Sequence, residues 1–149
     1  MKNRNTRALK LTALGLVGFH FLTVVLHSVA HEVLPVRATP AQFAFIIPVI
    51  VFAPAASGFM LLRFERAGAA LLLASMLGSF AFGLYYHFVA DTIDHVAHVA
   101  RMGPAFWSAT FRVTACLLAA SEAAGVAAGG LLLARRARPF KRYAARTDF

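Results

Sequence analysis

Apolar and polar positions alternate along this chain in long blocks rather than at short helical or strand periods. Four apolar stretches, at about residues 8–30, 41–62, 69–89 and 105–134, each reach the ~20 residues that an α-helix needs to cross a bilayer. Polar residues collect between them. The third stretch extends as a helix to His98 if the polar face of residues 87–98 continues it. The pattern predicts an all-α integral membrane protein: one domain over residues 1–149, a four-transmembrane-helix bundle running up-down-up-down, and a basic tail at 135–149.

Local signals sharpen the boundaries. Thr39-Pro40 reads as an N-cap followed by proline in the first turn of span two. Pro48 and Pro54 predict a kink or local break within that span. Residues 63–68, Arg-Phe-Glu-Arg-Ala-Gly, form a tight turn, and Gly103-Pro104 ends whatever helix precedes it. Ser75, Ser79 and Gly83 in span three, and Gly125 and Gly129 in span four, are small-residue stripes suited to close helix contact. Ser28-Val29-Ala30 has the look of a signal-peptide cleavage site. The apolar run before it is longer than the usual signal core and contains His20 and His27, so span one is read as a retained helix.

Composition agrees with the pattern. The chain is 60% hydrophobic and 14% charged, against about 25% charged in a typical soluble domain. The lone cysteine, Cys116, rules out an intrachain disulfide. A net charge of +9 raises the question of nucleic acid, but the distribution answers it. Of fifteen basic residues, twelve flank the spans on one side: Lys2, Arg4, Arg7, Lys10, Arg63, Arg66, Arg135, Arg136, Arg138, Lys141, Arg142 and Arg146. That is the positive-inside pattern of an inner (plasma) membrane protein with both termini cytoplasmic. The lipid bilayer is the expected partner, with the tail against anionic headgroups, and nucleic acid is not.

Candidate chemistry lies at the other side. Residues 87–98 hold His87, Asp91, Asp94, His95 and His98. On a continuous helix His87, Asp91, Asp94 and His98 would fall within about 60° of one another. In span one, His20, His27 and His31 share a stripe about 40° wide, with Glu32 beside it. The two helices run parallel in an up-down bundle, so these groups converge on the extracytoplasmic face. Imidazole with carboxylate suits a transition metal, copper, iron or zinc, and i, i+3 and i, i+4 pairs can share one ion. The candidate ligands are His27, His31, His87, Asp91, Asp94, His95 and His98; Glu32, Arg112 and Glu122 are outer-shell or relay groups. Arg112 is placed to neutralise Asp91 or Asp94, and Glu122 to meet His20 in mid-membrane.

Three other readings compete with this one. The polar groups could be passively solvated at the interface. The chain could be a non-enzymatic membrane subunit or small transporter, which predicts a homo-oligomer or a larger complex. It could also carry haem b on His20 and His87, each eleven residues before His31 and His98 respectively. Gly15, Gly18 and Gly83 would then admit the ring, and Arg37, Arg101 or Arg112 would meet its propionates. No nucleophile elbow, phosphate-binding glycine loop, HExxH or CxxC occurs in the chain.

Overall fold

A helix satisfies its backbone amides internally, so long apolar segments without water have few alternatives to it. The computed structural model follows that rule. It describes the backbone of residues 2–144 and the side chains of residues 4–135, and among the described residues there is no strand. Four helical runs are long and apolar enough to cross a membrane: Arg4–Val33, Pro40–Arg63, Glu65–Val89 and Ala105–Arg135. The elements are α1 (Lys2–Val33), α2 (Pro40–Phe45), α3 (Ala53–Arg63), α4 (Glu65–Leu84), α5 (Val96–Val99) and α6 (Ala105–Ala144). A π-helical segment, Ile46–Phe52, joins α2 to α3, and a second, Tyr85–Val89, continues α4. The side chains of Lys2 and of the basic residues from Arg136 onwards lie outside the described residues.

Consecutive long helices run antiparallel. Gly58 faces Leu14 and Val17 of α1, while His20 reaches Ile50. Gly125 packs on Met76, and Gly129 on Ala69 and Leu73. The small residues Gly125 and Gly129 therefore sit in the α4–α6 seam, where any Cβ would meet side chain or backbone within about 3 Å. The α3–α4 hairpin turns on the single residue Phe64, and Gly68 closes it: a Cβ there would strike the backbone of Met60 and Leu61. α1 and α4 each pack against both α3 and α6, so spans one and three lie across the diagonal of a four-helix ring.

The packed core comes in three parts. Leu61, Leu72, Met76 and Leu132 fill the end nearest the chain's basic residues. Leu34, Val36, Val99 and Phe111 seal the opposite end. Between them, Val24, Ile50 and Leu118 border a cavity of about 320 Å³. The outward faces carry exposed Leu22, Phe59, Phe106 and Val113, the reverse of a soluble surface.

The local signals of span two appear as a capped start at Thr39-Pro40 and as the π-helical segment Ile46–Phe52, which contains Pro48 and ends two residues before Pro54. Thr39 caps α2 with a reciprocal Gln42 contact: the Gln42 amide donates to Thr39 Oγ1 at 3.2 Å, and the Thr39 amide donates to Gln42 Oε1 at 2.6 Å. Pro54 has no N–H to offer the carbonyls four and five residues back, Ile50 and Val49. Side chains from neighbouring helices take their place: His20 Nε2–H donates to Ile50 O at 3.1 Å and Ser79 Oγ to Val49 O at 3.5 Å.

The third span departs from expectation. It does not continue to His98. The amide of Ala90 closes the second π segment on Tyr85 O at 2.7 Å, and Ala90 itself is extended. Thr92 then donates its hydroxyl to Tyr86 O at 3.2 Å, capping carbonyls that the helix leaves open. Two aspartates, a threonine and β-branched Ile93 follow one another here. Short polar side chains of this kind compete with the helical backbone for hydrogen bonds, and the chain leaves the helix.

Candidate metal centre

Three helical positions bring three imidazoles together. His27 and His31 are one turn apart on α1, and His87 comes across the bundle diagonal from the second π segment. One ring nitrogen from each lies within 4.8 Å of the others. The extra residue in a π turn rotates His87 relative to an α-helical path, and π bulges recur at functional sites. His27 and His87 are buried, and His31 is half-buried. The fully buried ring of Phe111 backs all three, with centroid separations of 4.6 Å to His27, 4.8 Å to His31 and 5.3 Å to His87.

Oxygen acceptors fix the tautomers. His31 Nδ1–H donates to Val36 O at 2.9 Å, and His87 Nδ1–H to Asp94 O at 3.1 Å. A carbonyl can only accept, so the proton is on Nδ1 in both. His27 Nδ1 lies 2.8 Å from Thr114 Oγ1, whose own proton is directed to Thr110 O at 2.7 Å or Phe111 O at 3.0 Å. That leaves the hydroxyl as acceptor and His27 Nδ1–H as donor. Every ring thus turns a bare Nε2 away from its Nδ1 anchor, the arrangement that outer oxygens impose on metal-binding histidines. His27 Nε2 and His31 Nε2 face each other at 3.2 Å.

The carboxylates divide. Asp94 is buried and lines the cavity beside the three histidines; one of its oxygens, Oδ1, has no hydrogen-bond partner. Burial pushes its carboxyl above the usual carboxylate range, while the neighbouring His31 imidazole and Gln42 amide act in the opposite direction. The Asp91 side chain is 92% exposed and pairs with His98, Oδ1 to Nε2 at 3.3 Å, while His98 Nδ1–H donates to Thr92 O at 2.9 Å. His95 caps α5: its Nδ1 accepts the Ala97 amide at 3.2 Å. The expected single face of His87, Asp91, Asp94 and His98 is therefore not formed. Because the helix stops at Val89, Asp91, His95 and His98 stay in the connection outside the three-histidine cluster.

The remaining candidates also find their places. Glu32 is exposed where the cavity opens. Among the described residues no ion pair joins Arg112 to Asp91 or Asp94; Arg112 is exposed on the outer side of α6 beside Val96 and Cys116. His20 and Glu122 do meet, Nδ1 to Oε1 at 3.9 Å, both buried. Haem on His20 and His87 needs the two at equal depth, and equal intervals to His31 and His98 set that only if residues 87–98 are helical, whereas the helical run ends at Val89. His87 is instead grouped with His27 and His31, at centroid separations of 5.0 and 6.0 Å. Thr114, Val36 and Gln42 complete the site and were not among the candidates. Only Thr114 had a readable signal, a hydroxyl one turn after Thr110 on an otherwise apolar helix.

No family model, curated protein or solved structure matches this chain.

Proposed function

We propose that this chain is an integral membrane protein that holds one transition-metal ion at its extracytoplasmic end, through His27, His31 and His87. The observation that carries the proposal is the 3.2 Å approach of His27 Nε2 to His31 Nε2 while both Nδ1–H groups are engaged by oxygen. Two lone pairs at that distance repel unless a cation lies between them. Tetrahedral coordination with metal–nitrogen bonds of 2.0–2.1 Å sets ligand nitrogens about 3.3–3.4 Å apart. The three atoms lie within 4.8 Å of one another, so drawing the triangle to that length takes at most about 1.5 Å of side-chain movement along any edge.

Three neutral imidazoles leave a fourth position open, and the cavity adjoins it. Three protein ligands and an open position distinguish catalytic zinc sites from closed structural ones, and imidazole equally suits copper and iron. Buried Asp94, with a free oxygen beside the three histidines, would be the protein group at hand to hold a proton or to serve as a fourth ligand to a bound ion. Metal-dependent chemistry on a small molecule in the cavity is the activity this arrangement supports best, with metal handling or a role as a metalloenzyme subunit next. The orientation rests on the positive-inside distribution, which sets the basic ends in the cytoplasm.

A second reading has its own support in the same pair. A proton shared between the two Nε2 atoms also removes their repulsion, which suits a subunit or small transporter that handles protons. Cobalt(II) titration of the metal-free protein separates the two. The metal reading expects an intense visible tetrahedral band that saturates at one equivalent and is abolished in His87→Ala. The proton reading expects no such band.

A further inference from the structure

The deep end of the cavity carries a different recognition chemistry. His20 donates its Nε2 proton to Ile50 O, the carbonyl that Pro54 leaves without an amide. Its Nδ1 is therefore a bare acceptor. That atom is buried and has no hydrogen-bond partner. Glu122 Oε1 is 3.9 Å away, longer than a hydrogen bond. Glu122 is 2% exposed, lines the cavity, and makes no hydrogen bond among the described residues. Gly83 leaves its second oxygen uncovered: a Cβ there would come to 3.8 Å from Oε2.

The Glu122 carboxyl thus reaches the cavity from an apolar interior with no hydrogen-bond partner among the described residues, and the buried His20 Nδ1 stands 3.9 Å from it. Buried polar groups without partners are costly, and a lone buried carboxylate most of all. The missing partner is a donor, and a positively charged one offsets the carboxylate best. Two ligand atoms at this spacing fall short of a three-donor metal set. Val24, Phe82 and Leu118 line the space between this pair and the three histidines, and they offer a wall for hydrocarbon. The cavity's 320 Å³ lies at the small end of the range for small-molecule sites.

We propose that the deep cavity binds a small organic amine as its ammonium ion, with N–H donors directed to the Glu122 carboxyl and the hydrocarbon part lying along Val24, Phe82 and Leu118. The pocket does not need a metal to do this, so the amine site and the metal centre stand or fall separately.

Calorimetric titration of the detergent-solubilised, full-length protein with benzylamine and with benzyl alcohol tests it. Benzylamine should bind more tightly than the neutral alcohol. Glu122→Gln should weaken benzylamine by at least about tenfold, the scale of a lost hydrogen bond to a charged group, and leave the alcohol unchanged. Ala119→Leu, on the cavity wall, should weaken both ligands. Equal binding of amine and alcohol, no binding of either, or an unchanged benzylamine affinity in Glu122→Gln would overturn the proposal. If the Gln variant elutes as aggregate in detergent, the result with Ala119→Leu decides: unchanged binding of benzylamine there places the amine elsewhere.

Discussion

His27 and His31 point their unprotonated Nε2 atoms at each other across 3.2 Å, each held by an oxygen on its Nδ1 side. One residue, Thr114, fixes the first of these rings. Thr114→Val keeps the shape of the side chain and removes the acceptor for His27 Nδ1–H. Loss of such an outer contact lowers metal affinity about 10–100-fold. Competition of the purified protein against a chromophoric chelator measures it, and an affinity equal to wild type would show that the threonine does not orient the ring.

The end of the third span at Val89 divides the six histidines into groups with different expected phenotypes. His95→Ala and His98→Ala should leave bound metal at the wild-type level, because these side chains serve the connection: one caps α5, and the other meets Thr92 O and Asp91. His31→Ala should remove it. Elemental analysis of the three variants side by side checks the division, and metal loss in His95→Ala would return that residue to the ligand set.

Asp94 gives the metal-free protein a pH-dependent stability. Burial raises its folded-state pKa above the unfolded value. The folded state therefore holds the proton more tightly. Its stabilising contribution is fully present below the unfolded pKa and is lost as pH rises through the folded one. Thermal midpoints of the metal-free protein should fall over a window that starts in the ordinary carboxylate range and extends upward. Asp94→Asn, which cannot ionise, should flatten that part of the profile. An unchanged slope in the Asn variant would assign the dependence to another group.

Gly68 and Gly15 make a paired test of the fold. A Cβ at Gly68 strikes the backbone of Met60 and Leu61, whereas one at Gly15 meets nothing within 4 Å. Gly68→Ala should destabilise by about 2–3 kcal/mol, as overpacking against rigid backbone does. Gly15→Ala should be neutral or gain up to about 1 kcal/mol from helix propensity. Midpoints of denaturation in detergent compare them, and equal effects would contradict the tight α3–α4 hairpin.

The four long helices were readable in the sequence because length and apolarity alone decide them. So were the Thr39-Pro40 start, the Gly125 and Gly129 seam, and the approach of His20 to Glu122, which follow from local chemistry and from depth along paired helices. The histidine centre was readable only in part. His27 and His31 lie one turn apart on an uninterrupted helix, so their pairing needed no tertiary information. The surroundings of His87 did need it. Residues 87–98 carry a helical stripe of polar groups and no glycine or proline to announce a break, so the wheel placed Asp91 and His98 beside His87. The π turn and the competition from Asp91, Thr92 and Asp94 side chains overrode that stripe. Carbonyl partners such as Val36 O leave no trace in residue type at all.

The proposed centre is one metal ion held by three histidines from two helical runs. Its most direct test is elemental analysis of the untagged, detergent-purified protein, loaded with excess metal and dialysed, beside the His27→Ala, His31→Ala and His87→Ala variants. Close to one copper, iron or zinc per chain is expected in the wild type, with loss from each variant while its sizing profile stays that of the wild type. Substoichiometric metal in the wild type, or a full complement in any one of the three folded variants, would contradict it.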